Sequence, residues 1–268
     1  VSSLLVRFWA SVCASLARWK LLALAVVVDI LFFYSFGKMY AFVFERVSAG
    51  LGTVNGLLQV QLEGLASSGD VSGLVSRQAE LEAAYAGVFK WIGVLLLALL
   101  ACWIVFQGVA WLLARRIAGD RLRAFAFVAS FARSSLVWFG LFLAVVLGMS
   151  FVSYGVSTSP VPLVGQRGMN LLSGILVLVV LYFAVWSYDT EIKPVRSAFV
   201  RGVKDWRRLV PAYLVSLAVL ASAGWLVPVL FRLHYLALVM FILLVLLPLM
   251  TVVRVFMVLS SRSHGHQA

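Results

Sequence analysis

Residues 235–259 read YLALVMFILLVLLPLMTVVRVFMVL, twenty-five positions in which Arg254 is the one charge. A helix rising 1.5 Å per residue crosses a hydrocarbon core of about 30 Å with about 20 apolar residues. The chain holds five more stretches of this kind, at about 20–45, 87–114, 135–157, 170–189 and 209–231. Six of them in 268 residues leave too little polar chain to wrap them in water. Composition agrees: 12% of residues are charged and 63% hydrophobic, against about 25% and 45–50% in ordinary soluble domains. The solvent is therefore a bilayer. Backbone groups in lipid must find partners within the membrane, and these runs are too long and too uniformly apolar for barrel strands. The fold class expected is all-α, one polytopic membrane domain over 1–268 with six transmembrane helices.

Sidedness follows from the cations. The segments 1–20, 115–134, 190–208 and 254–268 hold 16 of the 22 Lys and Arg residues. Cytoplasmic loops carry such an excess, so both termini are placed in the cytoplasm and the protein in the plasma membrane. Five of the ten acids, Glu45, Glu63, Asp70, Glu80 and Glu82, fall on the opposite side. The net charge of +12 is thus polarised, and topology accounts for most of it. The opening "VSSLLVRFWASVCASLARWK" is interrupted by Arg7 and Arg18 and lacks a small-residue cleavage site, so it is read as retained.

Three basic amphipathic segments, at about 3–19, 119–134 and 191–207, each lead into a span and are expected to lie in the interface plane. In the first, Arg7, Ser11, Ala14, Ser15 and Arg18 form a small or polar stripe opposite Leu5, Phe8, Trp9, Val12 and Leu16. "SLARWKLLAL", "SFARSSLVWF" and "KDWRRLVPAY" align on Arg18, Arg133 and Arg207, which raises a threefold internal repeat. Residues 46–86 are expected to form an external helical segment broken at "SSGD", with Asp70 capping its second helix.

No nucleotide loop, nucleophile elbow or HExxH motif occurs, and the three histidines lie outside span interiors. No catalytic residue, cofactor or metal is assigned, the terminal His264 and His266 included. Polar residues inside the spans carry the chemistry instead. Asp29 lies nine residues beyond Lys20, about 13 Å along a helix. A carboxylate at such depth costs roughly 2.5–3.5 kcal/mol on insertion scales. Gln107 and Arg254 fall at similar depth. Asp29 is expected to be held by Arg254, with Gln107 completing an intramembrane polar layer and Tyr182 and Ser216 as neighbours. The alternative has Arg254 snorkelling to the interface and Asp29 protonated, a proton-relay arrangement. The basic segments offer a second set of candidates, Arg121, Arg123, Arg133, Lys193, Arg196, Arg201, Lys204, Arg207 and Arg208, for contact with anionic lipid or another polyanion.

"PVRSAFVRGVKDWRRLVPAYLVSLAVL" (194–220) resembles a pattern in uncharacterised archaeal and bacterial six-span proteins, including the membrane domain found ahead of some glycerophosphodiester phosphodiesterases. The resemblance implies a prokaryotic protein of repeated interfacial-helix-plus-span units. It implies no hydrolase activity, because the chain contains no phosphodiesterase catalytic sequence. The Pro-x-Asp/Glu-x-x-Lys/Arg signature of mitochondrial carriers is missing, which argues against that family. The leading expectation is a non-enzymatic membrane scaffold or accessory subunit. Its basic face would meet anionic headgroups, partner proteins or further copies of itself. The alternative is a transporter or channel component for a small polar solute, an ion or DNA, with its path near Asp29; nucleic acid is a partner only in that version.

Overall fold

The computed structural model describes residues 2–68, 72–158, 166–188 and 194–262. The Asp70 cap, Lys193, and His264 and His266 lie outside the described residues. Among the described residues every regular element is helical. The helices are α1 (Ser2–Ala17), α2 (Trp19–Ser68), α3 (Ser72–Cys102), α4 (Gly108–Ile117), α5 (Ala124–Thr158), α6 (Gln166–Ser187), α7 (Pro194–Lys204), α8 (Trp206–Leu233), α9 (Tyr235–Phe241) and α10 (Leu247–Ser261). π-helical turns, Trp103–Gln107 and Ile242–Leu246, join α3 to α4 and α9 to α10. Six stretches are long and apolar enough to cross a membrane: Trp19–Glu63, Gln78–Ile117, Ala124–Gly155, Arg167–Ser187, Trp206–Leu233 and Tyr235–Ser261.

The chain divides into two compact units, Val1–Ile30 with Ile104–Ala268, and Leu31–Trp103. In the first, α10 packs against α1, α4 and α8. Every residue from Thr251 to Val258 is buried, as expected of a helix that is apolar all round. Small residues let backbones approach: Ala25, Ala110 and Ala114 sit where α2 and α10 meet α4. Around α6, an aromatic stack of Trp138, Phe183 and Phe199 joins α5, α6 and α7.

The second unit is an antiparallel helical pair. Phe32 meets Trp103 at 6.1 Å, Phe42 meets Trp91 at 5.7 Å, and Gly50 faces Val88. A Cβ at Gly50 would stand 2.7 Å from the Val88 side chain, so glycine sets the approach there. Leu81, Ala84, Val88, Trp91, Leu95 and Ala98 alternate three- and four-residue spacings and are buried or half-buried, a coiled-coil seam. The Arg46 guanidinium lies over both Phe42 and Trp91, 5.5 and 5.7 Å from the ring centres.

Local chemistry explains the breaks. Pro248 has no N–H and would crowd the carbonyl of residue 244 in a regular helix. The π turn just before it relaxes that conflict, with Leu247 N–H bonded to Ile242 O. α4 ends in a Schellman motif. Gly119 adopts φ +101°, Gly119 N–H bonds Arg116 O, and Asp120 N–H bonds Arg115 O.

Two of the expected short helices, α1 and α7, stand apart from their spans, at Arg18 and Asp205. The middle one does not. Residues 118–123 form a loop, and α5 then runs unbroken from Ala124 to Thr158. Its sequence has no proline, Asp or Asn to stop a helix. Arg133 therefore sits mid-helix, whereas Arg18 occupies a break and Arg207 a helix start, so the three aligned arginines have different local settings.

Candidate functional site: a buried polar layer and a basic rim

On α2, positions 21, 22, 25, 28 and 29 recur at helical spacing and turn inward, so Asp29 falls on the packed stripe. On α10, Leu247, Thr251, Arg254 and Val258 make the matching stripe. The π turn before α4 takes in one extra residue and ends at Gln107, which is buried. Three polar side chains from three segments thus share one interior.

They close a ring. Arg254 Nη1 donates to Asp29 Oδ2 at 2.7 Å, and Arg254 Nη2 donates to Asp29 Oδ1 at 2.9 Å. Arg254 Nη2 also donates to Gln107 Oε1 at 2.7 Å, and Gln107 Nε2 donates to Asp29 Oδ1 at 3.3 Å. Asp29 is 0% exposed, Gln107 3% and Arg254 6%. None of their fully buried polar atoms is left without a partner. The two-pronged fork is the strongest geometry an arginine offers a carboxylate. The amide orientation of Gln107 follows from it: the guanidinium demands the oxygen, and the carboxylate demands the NH2.

Tyr182 and Ser216 bond elsewhere. Tyr182 Oη donates to Gly202 O of α7 at 2.9 Å, and Ser216 Oγ donates back to Ala212 O at 2.9 Å. Both are buried, but Tyr182 latches α7 to α6, and Ser216 satisfies itself within α8. Depth along a helix was matched for these two; the direction around the axis was not.

A basic rim lies at one end of the first unit. Arg18 Nη1 donates to Arg116 O and, at 3.1 Å, to Ile117 O, capping the C-terminus of α4. Asp120 accepts from Arg115 Nε at 2.9 Å and Arg262 Nη2 at 2.7 Å. Arg262 also reaches Ala118 O at 2.9 Å, and Arg208 Nη2 reaches Ser261 O at 2.7 Å. These bonds gather the starts of α2 and α8 with the ends of α4 and α10. Of the sequence candidates, Arg121, Arg123, Arg133, Arg196, Arg201, Lys204 and Arg207 are exposed and Arg208 is half-buried. The capping role of Arg18 and the Asp120 clasp were missed. Their one sequence signal was "RRIAGD", a basic last turn followed by a glycine stop.

Cys13 and Cys102 are free thiols. Among the described residues, no group of three His, Cys, Asp or Glu side chains is placed to hold a metal ion. Comparison with family models, with characterised proteins and with solved structures gives no match for this chain.

Proposed function

We propose that this chain is a non-enzymatic membrane scaffold or accessory subunit. Six spans hold it in the plasma membrane, both termini are cytoplasmic, and the basic rim meets anionic lipid headgroups or partner proteins. The carrying observation is the closed ring of Asp29, Arg254 and Gln107. Both carboxylate oxygens of Asp29, both amide atoms of Gln107 and both terminal nitrogens of Arg254 bond to another member, and one base neutralises the one acid. A cation path needs an acid whose charge is not already matched by a fixed base. This arrangement instead fixes the rotation of three helices about one another.

The membrane reading has independent support in α1. The two serines of its small polar stripe, Ser11 and Ser15, are both 0% exposed, while Leu5, Val6, Trp9 and Leu16 face outward. A helix that hides serines and presents leucine and tryptophan suits an acyl-chain boundary. α7 repeats the pattern, with Ala198 buried and Phe199, Val200 and Val203 exposed.

The transporter reading keeps one favourable observation. π turns often mark functional sites, and one ends at Gln107 while the other leads into the helix of Arg254. Purified protein in liposomes separates the readings. Ion conductance and small-solute uptake are expected to equal those of protein-free vesicles, for wild type and for Asp29→Asn alike. A flux carried by wild type and lost in a folded Asp29→Asn protein would overturn the scaffold reading.

A further inference from the structure

The loop between α4 and α5 borders a cleft of about 480 Å³ lined by Arg18, Arg116, Gly119, Asp120, Arg121, Leu122 and Arg123. We infer that this cleft binds a phosphate group, either that of an anionic lipid headgroup or that of a free phosphate. The inference deepens the lipid-contacting reading of the rim and rests on it.

The cleft itself carries the argument. Four guanidiniums line it, and its single carboxylate is already shared by Arg115 and Arg262. Arg18 is engaged with the carbonyls of α4, whereas the side chains of Arg116, Arg121 and Arg123 extend from exposed positions. Beside the cleft, Arg115 is buried and its Nη1 has no acceptor among the described residues. Among the described residues, this corner of the molecule is rich in donors and short of acceptors. Phosphate oxygens accept several bonds at once, and arginine forks match them in pairs.

The start of α5 sharpens the point. A helix N-terminus ordinarily takes Ser, Thr, Asp or Asn as cap and an acid in its first turn. Here Arg123 precedes Ala124, Arg121 stands two residues before that, and the first turn holds no acid. Cationic side chains at the positive end of a helix repel its dipole, and an anion between them reverses the sign of that interaction. The loop is held ready by Gly119 at φ +101° and by Arg262 bound to both Ala118 O and Asp120. Phe125, 89% exposed, follows directly. An outward phenylalanine beside such a cleft suits the boundary between headgroups and acyl chains.

The test uses the full chain in nanodiscs. One set is phosphatidylcholine alone, and the other contains phosphatidic acid, whose headgroup is a phosphomonoester. Retention of phosphatidic acid after detergent extraction is read by native mass spectrometry. Wild type is expected to retain it selectively. Arg121→Gln/Arg123→Gln is expected to weaken retention at least tenfold, and Arg167→Gln/Arg232→Gln, exposed at the start of α6 and the end of α8 and outside the rim, to leave it unchanged. Equal loss in both pairs, or loss in neither, overturns the cleft assignment while sparing lipid contact in general. No selective retention of any anionic lipid by wild type overturns the reading beneath it. A second arm titrates inorganic phosphate. Displacement of the lipid by millimolar phosphate assigns the cleft to free phosphate, and the absence of displacement assigns it to the headgroup.

Discussion

Replacing Arg254 by methionine alone should cost about 3–5 kcal/mol of stability, the usual result of leaving one member of a buried ion pair behind. Asp29 is 0% exposed, and Arg254 supplies two of the three donors to its carboxylate. With the guanidinium gone, Gln107 Nε2 at 3.3 Å is the one donor remaining among the described residues. The triple variant Asp29→Leu/Gln107→Leu/Arg254→Met should behave oppositely. Removing all three partners removes their desolvation cost together, and well-packed apolar replacements of a buried ion pair are commonly neutral or stabilising. Thermal unfolding in detergent, followed by intrinsic fluorescence, separates the two outcomes. A single variant as stable as wild type would show that Asp29 does not depend on Arg254. A triple variant as weak as the single would show that the ring does more than satisfy itself.

Gly202→Val should release α7. A Cβ at Gly202 would lie 2.7 Å from Phe183 Cε1, 3.0 Å from Phe183 Cδ1 and 3.3 Å from Tyr182 Cε1. Neither ring has an easy retreat. Phe183 is stacked on Phe199 at 4.4 Å and on Trp138 at 6.1 Å, and the Tyr182 hydroxyl is bonded to the carbonyl of Gly202 itself. Overpacking of this kind costs about 1–3 kcal/mol, and valine's two further methyls place the expectation at the upper end. Residues 194–204 should then exchange their amide hydrogens much faster, while α5 and α6 stay protected. Unchanged exchange in α7 would show that the close approach at Gly202 is dispensable.

Depth was legible in the sequence because a helix rises uniformly. Counting from Lys20 into α2, and from the charged ends into α4 and α10, brought Asp29, Gln107 and Arg254 to one level. Direction around the helix axis was legible where an apolar stripe marked it, as beside Asp29. It was not legible for Tyr182 and Ser216, whose helices are apolar on every face and so present no stripe to read. The middle amphipathic segment misled for a related reason. Its period is that of a helix, but nothing in 124–158 interrupts the backbone, so amphipathic and apolar parts join into α5. Gly202 is silent in the sequence, since its role depends on two rings that arrive from α6. The π turn at Ile242–Leu246 could have been suspected from Pro248; the one at Trp103–Gln107 has no such marker.

The central claim is that the chain crosses the bilayer six times with its cationic helix ends on one side. Site-directed cysteine labelling tests it most directly, in a Cys13→Ser/Cys102→Ser background and in sealed right-side-out vesicles. An impermeant maleimide should modify Thr53→Cys from outside, and should reach Arg121→Cys and Arg201→Cys only after the vesicles are opened. Reaction of Arg121→Cys and Arg201→Cys from opposite sides would contradict the topology, and with it the reading of the rim as one cytoplasmic surface.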